Sequence, residues 1–157
     1  MGKRWQVALG VLVHVAALTP LAWLIWDYVL GNLTANPIRE TTLRTGRISL
    51  VLLVLSLACT PLNTILGVEV LRRLRRPLGL YAFFYASLHL LNIAGPDYGF
   101  DFGLLFSDVL AKRFALTGLV AYLLLLSLAV TATEGWARRL GTRWTILHRL
   151  VYAAALL

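Results

Sequence analysis

The sequence predicts an all-α integral membrane bundle, and three observations carry that reading. Of 157 residues, 59% are hydrophobic and only 14% charged, where an ordinary soluble domain has about 25% charged residues. The mean hydropathy is +0.77. The apolar residues come in blocks of about twenty, the length that crosses ~30 Å of hydrocarbon. A soluble globular domain, a disordered tail and a secreted disulfide scaffold are excluded by that pattern. Fifteen Lys+Arg against seven Asp+Glu leave a net charge of +8. In a membrane protein such a surplus collects in cytoplasmic loops and needs no nucleic acid to explain it. The one cysteine, Cys59, lies inside an apolar run and has no internal disulfide partner.

Taken in order, the first span covers 5–30, interrupted only by Gln6, His14 and Asp27. Lys3 and Arg4 ahead of it imitate a signal peptide, but a signal's apolar region is about 7–15 residues before a small-residue cleavage site. This run is longer and lacks such a site, so it reads as an uncleaved first helix. The second span is 48–66, with Pro61 placed to kink it. The third is 77–95, with Pro77 in its first turn and Gly95 at its end. The fourth is 114–133. The fifth runs from Trp144 to Leu157, about 21 Å of helix where a full crossing needs ~20 residues. It is expected to stop partway across, or the sequence to be a piece of a longer chain. Between spans three and four, 100–111 mixes Phe100, Phe102, Leu104, Leu105, Phe106 and Val109 with Asp101, Ser107 and Asp108, the composition of a short amphipathic helix in the membrane interface. The whole chain, 1–157, reads as a single transmembrane domain.

Loop charges set the orientation. On the N-terminal side stand Lys3, Arg4, Arg72, Arg73, Arg75, Arg76, Arg138, Arg139 and Arg143, opposed only by Glu69 and Glu134. On the other side Arg39, Arg44, Arg47, Lys112 and Arg113 are nearly cancelled by Glu40, Asp97, Asp101 and Asp108. The positive-inside bias makes the N-terminus cytoplasmic.

All three histidines, His14, His89 and His148, fall within spans, where ionisable groups are costly and mark functional sites by default. No carboxylate lies at mid-span to suit a proton or cation carrier; Asp27 is near the end of the first helix. No HExxH, nucleophile elbow or Ser/His/Asp set occurs, and zinc needs three or four ligands at one depth. Neutral imidazoles on facing helices suit axial ligation of haem iron. The alternative is that each imidazole simply hydrogen-bonds a neighbouring helix in a transport or structural bundle. Counted from the span starts at 1.5 Å per residue, His89 lies about 18 Å deep, His148 about 6 Å and His14 about 14 Å. His89 and His148 are therefore expected at different levels, with His14 available to partner His89. The run Arg72–Arg76 reads as a lipid-phosphate anchor, with Arg75 and Arg76 also candidates for haem propionates or an open iron face. Trp5, Trp23, Trp26, Trp136 and Trp144 read as interfacial belt residues.

The stretch Arg75-Arg76-Pro77-Leu78-Gly79-Leu80-Tyr81-Ala82-Phe83-Phe84-Tyr85-Ala86-Ser87-Leu88-His89 resembles the third helix of the MsrQ (YedZ) family. Leu140-Gly141-Thr142-Arg143-Trp144-Thr145-Ile146-Leu147-His148-Arg149-Leu150-Val151-Tyr152 is similar to the start of that family's fifth helix. Asn36-Pro37-Ile38 and Thr45-Gly46-Arg47 resemble its first outer loop, and His14, Pro20 and Trp23 its first helix. Members are haem-binding membrane subunits of the bacterial protein-methionine-sulfoxide reductase system and belong with ferric reductase-like transmembrane proteins.

The resemblance implies b-type haem, one or two, held between helices three and five. His89 and His148 would be its iron ligands, with an arginine at Arg75 near the inner haem. It also implies an association with FMN, although no flavin motif is present. Electrons would pass from a cytoplasmic flavin reductase or the quinone pool to a periplasmic molybdopterin reductase of methionine sulfoxide, with the substrate's chemistry on that partner and no catalytic residue here. The chain would sit in a bacterial inner membrane, with Arg39, Arg44 and Arg47 available to dock the partner. Family members carry a second histidine further along helix five and then a sixth helix, which this sequence does not reach. A ferric or quinone oxidoreductase with a small acceptor is the second expectation, and a non-redox bundle the third.

Overall fold

The computed structural model describes residues 3–157, with side chains from Val7 onward. The expectations for the side chains of Lys3, Arg4, Trp5 and Gln6 lie outside the described residues. Among those described, the chain is helical with no strands: α1 (Lys3–Val29), α2 (Pro37–Leu66), α3 (Glu69–Asn92), a π turn continuing it (Ile93–Asp97), α4 (Phe102–Ala111), α5 (Arg113–Val130), α6 (Glu134–Leu140) and α7 (Thr142–Leu156). Four of these elements are long and apolar enough to cross a membrane: Val7–Val29, Pro37–Leu66, Glu69–Asp97 and Arg113–Val130.

Two helices begin earlier than hydropathy suggests. α2 starts at Pro37 rather than 48, because Asn36 caps it: its side-chain oxygen accepts from the Arg39 N–H at 3.0 Å. Pro37 occupies the first turn and Glu40 adds a negative charge beside the helix N-terminus. Arg39, Arg44 and Arg47, expected in a loop, are therefore helical. α3 starts at Glu69 rather than 77, so Pro77 is inside the helix, not at its start. The helix-to-helix link is only Gly67 and Val68. Gly67 takes the left-handed conformation (φ 66°) and donates its N–H to the Asn63 carbonyl, ending α2 in one step. Arginine lowers hydropathy but forms helix well, so Arg72–Arg76 is a helical run and not a loop cluster.

The other elements follow the sequence more closely. α4 is a short apolar helix where one was expected, capped by Asp101, which accepts from the Leu104 N–H at 2.9 Å. Its Phe102, Leu104, Phe106 and Leu110 are exposed, ready to sink among acyl chains. α6 is a short helix absent from the expectations. α7 spans 15 residues, about 22 Å.

The tightest seam is between α2 and α3, where small and hydroxylated residues bring the backbones close. Ser49 Oγ donates to the Ala82 carbonyl at 2.8 Å, and Ser56 Oγ to the Arg75 carbonyl at 2.7 Å. A Cβ on Gly79 would lie 3.3 Å from Ser56 Oγ. Ala82 and Tyr85 are fully buried, packed with Leu52, Leu53, Leu125 and Ala154. The Tyr85 hydroxyl donates to the Ala17 carbonyl at 2.7 Å and so ties in α1. At the far end of α1, buried Asp27 meets Arg44 at 2.5 Å, and Arg44 also holds Glu40 at 2.5 Å. Glu40 in turn accepts the Thr34 N–H at 2.6 Å, closing the loop between α1 and α2.

Candidate haem site

His89 arises from the register of α3. Ala82, Tyr85, His89 and Asn92 recur at helical spacing, and the last two reach the first turns of α2. His89 Nδ1 lies 2.8 Å from the Thr42 carbonyl oxygen. A carbonyl only accepts, so Nδ1 carries the proton and Nε2 keeps its lone pair. A Cβ on Gly46 would lie 3.0 Å from Nδ1 and 3.1 Å from Cε1, so the imidazole rests where only glycine leaves room. Asn92 Nδ2 donates to the Ile38 carbonyl at 3.0 Å, to Thr41 Oγ1 at 2.9 Å and to Thr42 Oγ1.

His148, in the second turn of α7, repeats the pattern. Its Nδ1 lies 3.1 Å from the Trp144 carbonyl, again leaving Nε2 as the free base. The Trp144 ring stacks on the imidazole with centroids 4.0 Å apart, and its indole N–H donates to the Thr131 carbonyl at 2.9 Å. The expectation that Trp144 is a belt residue is thereby corrected: it is half-buried and packs on a candidate ligand. Its spacing of four residues from His148, one helical turn, is the signal that points to this contact.

His14 sits elsewhere. It is exposed, with Nδ1 2.9 Å from the Tyr81 hydroxyl and the rings edge-to-face at 5.7 Å. Tyr81 precedes His89 by eight residues, about 12 Å along the helix. The structure therefore sets His14 against Tyr81 rather than beside His89. The depth count that paired them took Pro77 as the start of the third helix. Counted from Glu69, His89 lies about 30 Å along α3, while His148 lies about 9 Å along α7.

Among the described residues, no group of three or more His, Cys, Asp and Glu converges as a metal cage. Isolated imidazoles with free Nε2 atoms are the donors that suit iron whose equatorial bonds come from a porphyrin. Each is oriented by a carbonyl on its other nitrogen, the usual outer-shell partner of a ligating histidine. The donor set fits haem.

The model of the ferric reductase like transmembrane component matches residues 45–157. A relative from Rhodospirillum rubrum is 47% identical over 94% of this chain and 71% of its own length. One from Deinococcus radiodurans is 46% identical over 95% of this chain and 74% of its own, and one from Caulobacter vibrioides 46% identical over 90% and 68%. All three carry the name protein-methionine-sulfoxide reductase heme-binding subunit MsrQ. The chain belongs to the MsrQ family. No solved structure matches it.

The arginines of this MsrQ-family chain divide by environment. Half-buried Arg75 donates to Thr60 Oγ1 at 2.9 Å; Arg76 is exposed. At the opposite end Arg44 is committed to Asp27 and Glu40. Arg39 is exposed, and exposed Arg47 borders an open groove of 630 Å³ between α1 and α2 with Pro20, Trp23 and Ile48. Sequence reasoning missed Thr42 and Gly46 as neighbours of His89, and Asn92 as a partner of Thr42, because nothing local announces contacts some 43–50 residues apart.

Proposed function

We propose that the chain is the haem-binding membrane subunit of a protein-methionine-sulfoxide reductase system, carrying electrons outward across a bacterial inner membrane. His89 and His148 ligate b-type haem at two levels. The observation that supports this most is at His89: Nδ1–H donates to Thr42, Nε2 is free, and Gly46 leaves space for the ring. Bound haem supplies reversible one-electron transfer. The chain's own residues fix the imidazole tautomers, hold the rings in place through Thr42 and Trp144, and exclude water with apolar helices. Arg75 and Arg76 would meet the propionates of a haem bound at the inner level. Electrons arrive from a flavin reductase or quinone on the cytoplasmic side, where the N-terminus lies. They leave for a periplasmic molybdopterin enzyme that docks at Arg39 and Arg47 and performs the reduction of methionine sulfoxide. FMN, implied by the family resemblance, has no residues assigned to it.

The test is spectroscopic. The chain purified in detergent after expression with haem supplied shows a Soret band and reducible α and β bands, and His89→Ala lowers the haem content. Absence of a Soret band overturns the redox reading, and a His89→Ala protein with wild-type haem content and spectrum overturns the ligand assignment. Co-purification with a molybdopterin enzyme supports a protein acceptor. Reduction of ferric iron or quinone with no such partner overturns that part.

A further inference from the structure

Asn92 is one turn beyond His89 on the same face of α3, and its carboxamide is occupied by a single short stretch of α2. The amide nitrogen donates to the Ile38 carbonyl at 3.0 Å, to Thr41 Oγ1 at 2.9 Å and to Thr42 Oγ1. The hydroxyls it meets are already satisfied as donors. Thr41 Oγ1 bonds the Pro37 and Ile38 carbonyls at 2.9 Å, and Thr42 Oγ1 bonds the Ile38 carbonyl at 2.8 Å. They therefore present lone pairs to Asn92, whose amide N–H groups donate to them. The same stretch supplies the Thr42 carbonyl that receives His89 Nδ1–H.

We infer that Asn92 is a positioning residue that sets the basicity of His89: by clamping 38–42 of α2 onto α3, it holds the Thr42 carbonyl against Nδ1–H. This rests on the reading of His89 as a haem ligand given above. A carbonyl held at hydrogen-bond distance draws the Nδ1 proton, enriches Nε2 in electron density and favours the ferric state of an iron bound there. Among the described residues, the side-chain hydrogen bonds from α3 to the first turns of α2 come from Asn92 and His89. Without the clamp, the Thr42 carbonyl and its proton partner separate, Nε2 becomes a poorer donor, and the potential moves in the positive direction. Gly46 bears on the same ring, since a Cβ there would meet Nδ1 at 3.0 Å and Cε1 at 3.1 Å and the imidazole would have to shift from its place.

The experiment compares wild type, Asn92→Leu, Asn92→Ser and Gly46→Ala in the full chain. Leucine keeps the bulk and removes the donors; serine keeps one donor. In haem-loaded protein, Asn92→Leu shifts the midpoint potential of the His89 level positive, Asn92→Ser shifts it less, and Gly46→Ala shifts it in the same direction with Asn92 intact. In unloaded protein, the ring ¹⁵N signals of His89 report a proton held on Nδ1 in wild type and shared between Nδ1 and Nε2 in Asn92→Leu. A wild-type potential in Asn92→Leu with haem retained, or a proton still held on Nδ1 in the unloaded variant, overturns the inference. Failure of His89→Ala to change the haem spectrum overturns the ligand reading instead, and the ¹⁵N measurement still decides the role of Asn92. If Asn92→Leu does not fold, Gly46→Ala decides alone: an unchanged potential overturns the proposal.

Discussion

The indole of Trp144 lies nearly parallel to the imidazole of His148, 25° from coplanar with centroids 4.0 Å apart, and is itself anchored through its N–H to the Thr131 carbonyl. The stack connects the last residues of the α5 segment to the one histidine of α7. Aromatic pairs of this kind are worth about 0.5–1.5 kcal/mol beyond their buried area. Trp144→Ala is expected to leave the His148 ring free to rotate while His89 keeps its own partners. Haem loading at the His148 level should fall several-fold or its low-spin EPR signal broaden, with the His89 signal unchanged. Equal loss at both levels would show that Trp144 supports the whole bundle rather than one ligand.

His14→Phe is expected to retain wild-type haem content. The substitution removes the 2.9 Å bond to the Tyr81 hydroxyl, a loss of about 0.5–1.5 kcal/mol, and keeps an aromatic ring against Tyr81. Pyridine haemochrome quantification checks it; a loss of one haem equivalent would make His14 a ligand after all.

Arg44→Leu is expected to be among the more destabilising substitutions at the polar end of α2. It leaves Asp27, 8% exposed, without its cation. Breaking a buried pair costs about 3–5 kcal/mol, and the partial exposure of Arg44 places this case at the lower end. Thermal unfolding in detergent measures it. The double variant Asp27→Leu/Arg44→Leu should recover much of the loss, because no charge is then stranded.

The end of the bundle at α4 is expected to resist pH change over a wide range. Lys112 donates to Asp108 at 2.5 Å, and the Tyr98 hydroxyl donates to the same carboxylate. Both hold the Asp108 carboxyl below its ordinary value of 3.8, the ammonium contributing most. Asp108 in turn holds Lys112 above 10.5 and Tyr98 above 10.0. The Asp108 contribution is present above the ordinary carboxyl value and lost as pH falls through the lowered one. Those of Lys112 and Tyr98 are present below their ordinary values and lost as pH rises through the raised ones. Ring carbon shifts of Tyr98, followed by NMR, should be flat from about pH 5 to pH 9, and Asp108→Asn should bring the Tyr98 titration back toward its ordinary value. A Tyr98 midpoint unmoved by that substitution would remove the pairing.

Much of the architecture is legible in the sequence because hydropathy reports the middle of a span well. It reports the ends badly. Asn36-Pro37 with Glu40 is a helix start written in capping chemistry, and the first two turns of α3 are written in arginines; neither stretch is apolar, so span counting placed both starts too far into the helices, whereas the end of α2 at Leu66, ahead of Gly67, agrees with the structure. The candidate ligands were legible as the few ionisable groups at depth. Their supports were not. Thr42, Gly46 and Asn92 matter to His89 only through the packing of α2 on α3, and Trp144 was indistinguishable by type from the interfacial tryptophans until its stack on His148 was seen.

The two-residue link at Gly67 and Val68 has a consequence for how the protein is made. Thr42, Gly46, His89 and Asn92 all lie on the helical hairpin formed by α2 and α3, whose partners are brought together by one tight reversal. Ribosomes deliver the N-terminal elements first, so this hairpin can enter the bilayer as a unit. His89 then has its tautomer fixed before α5 and α7 are synthesised. His148 arrives last, on an element whose Trp144 donates its N–H to the Thr131 carbonyl at the end of α5. The two candidate ligand levels are thus completed at different times during synthesis, the His89 level by local pairing and the His148 level only when the bundle closes.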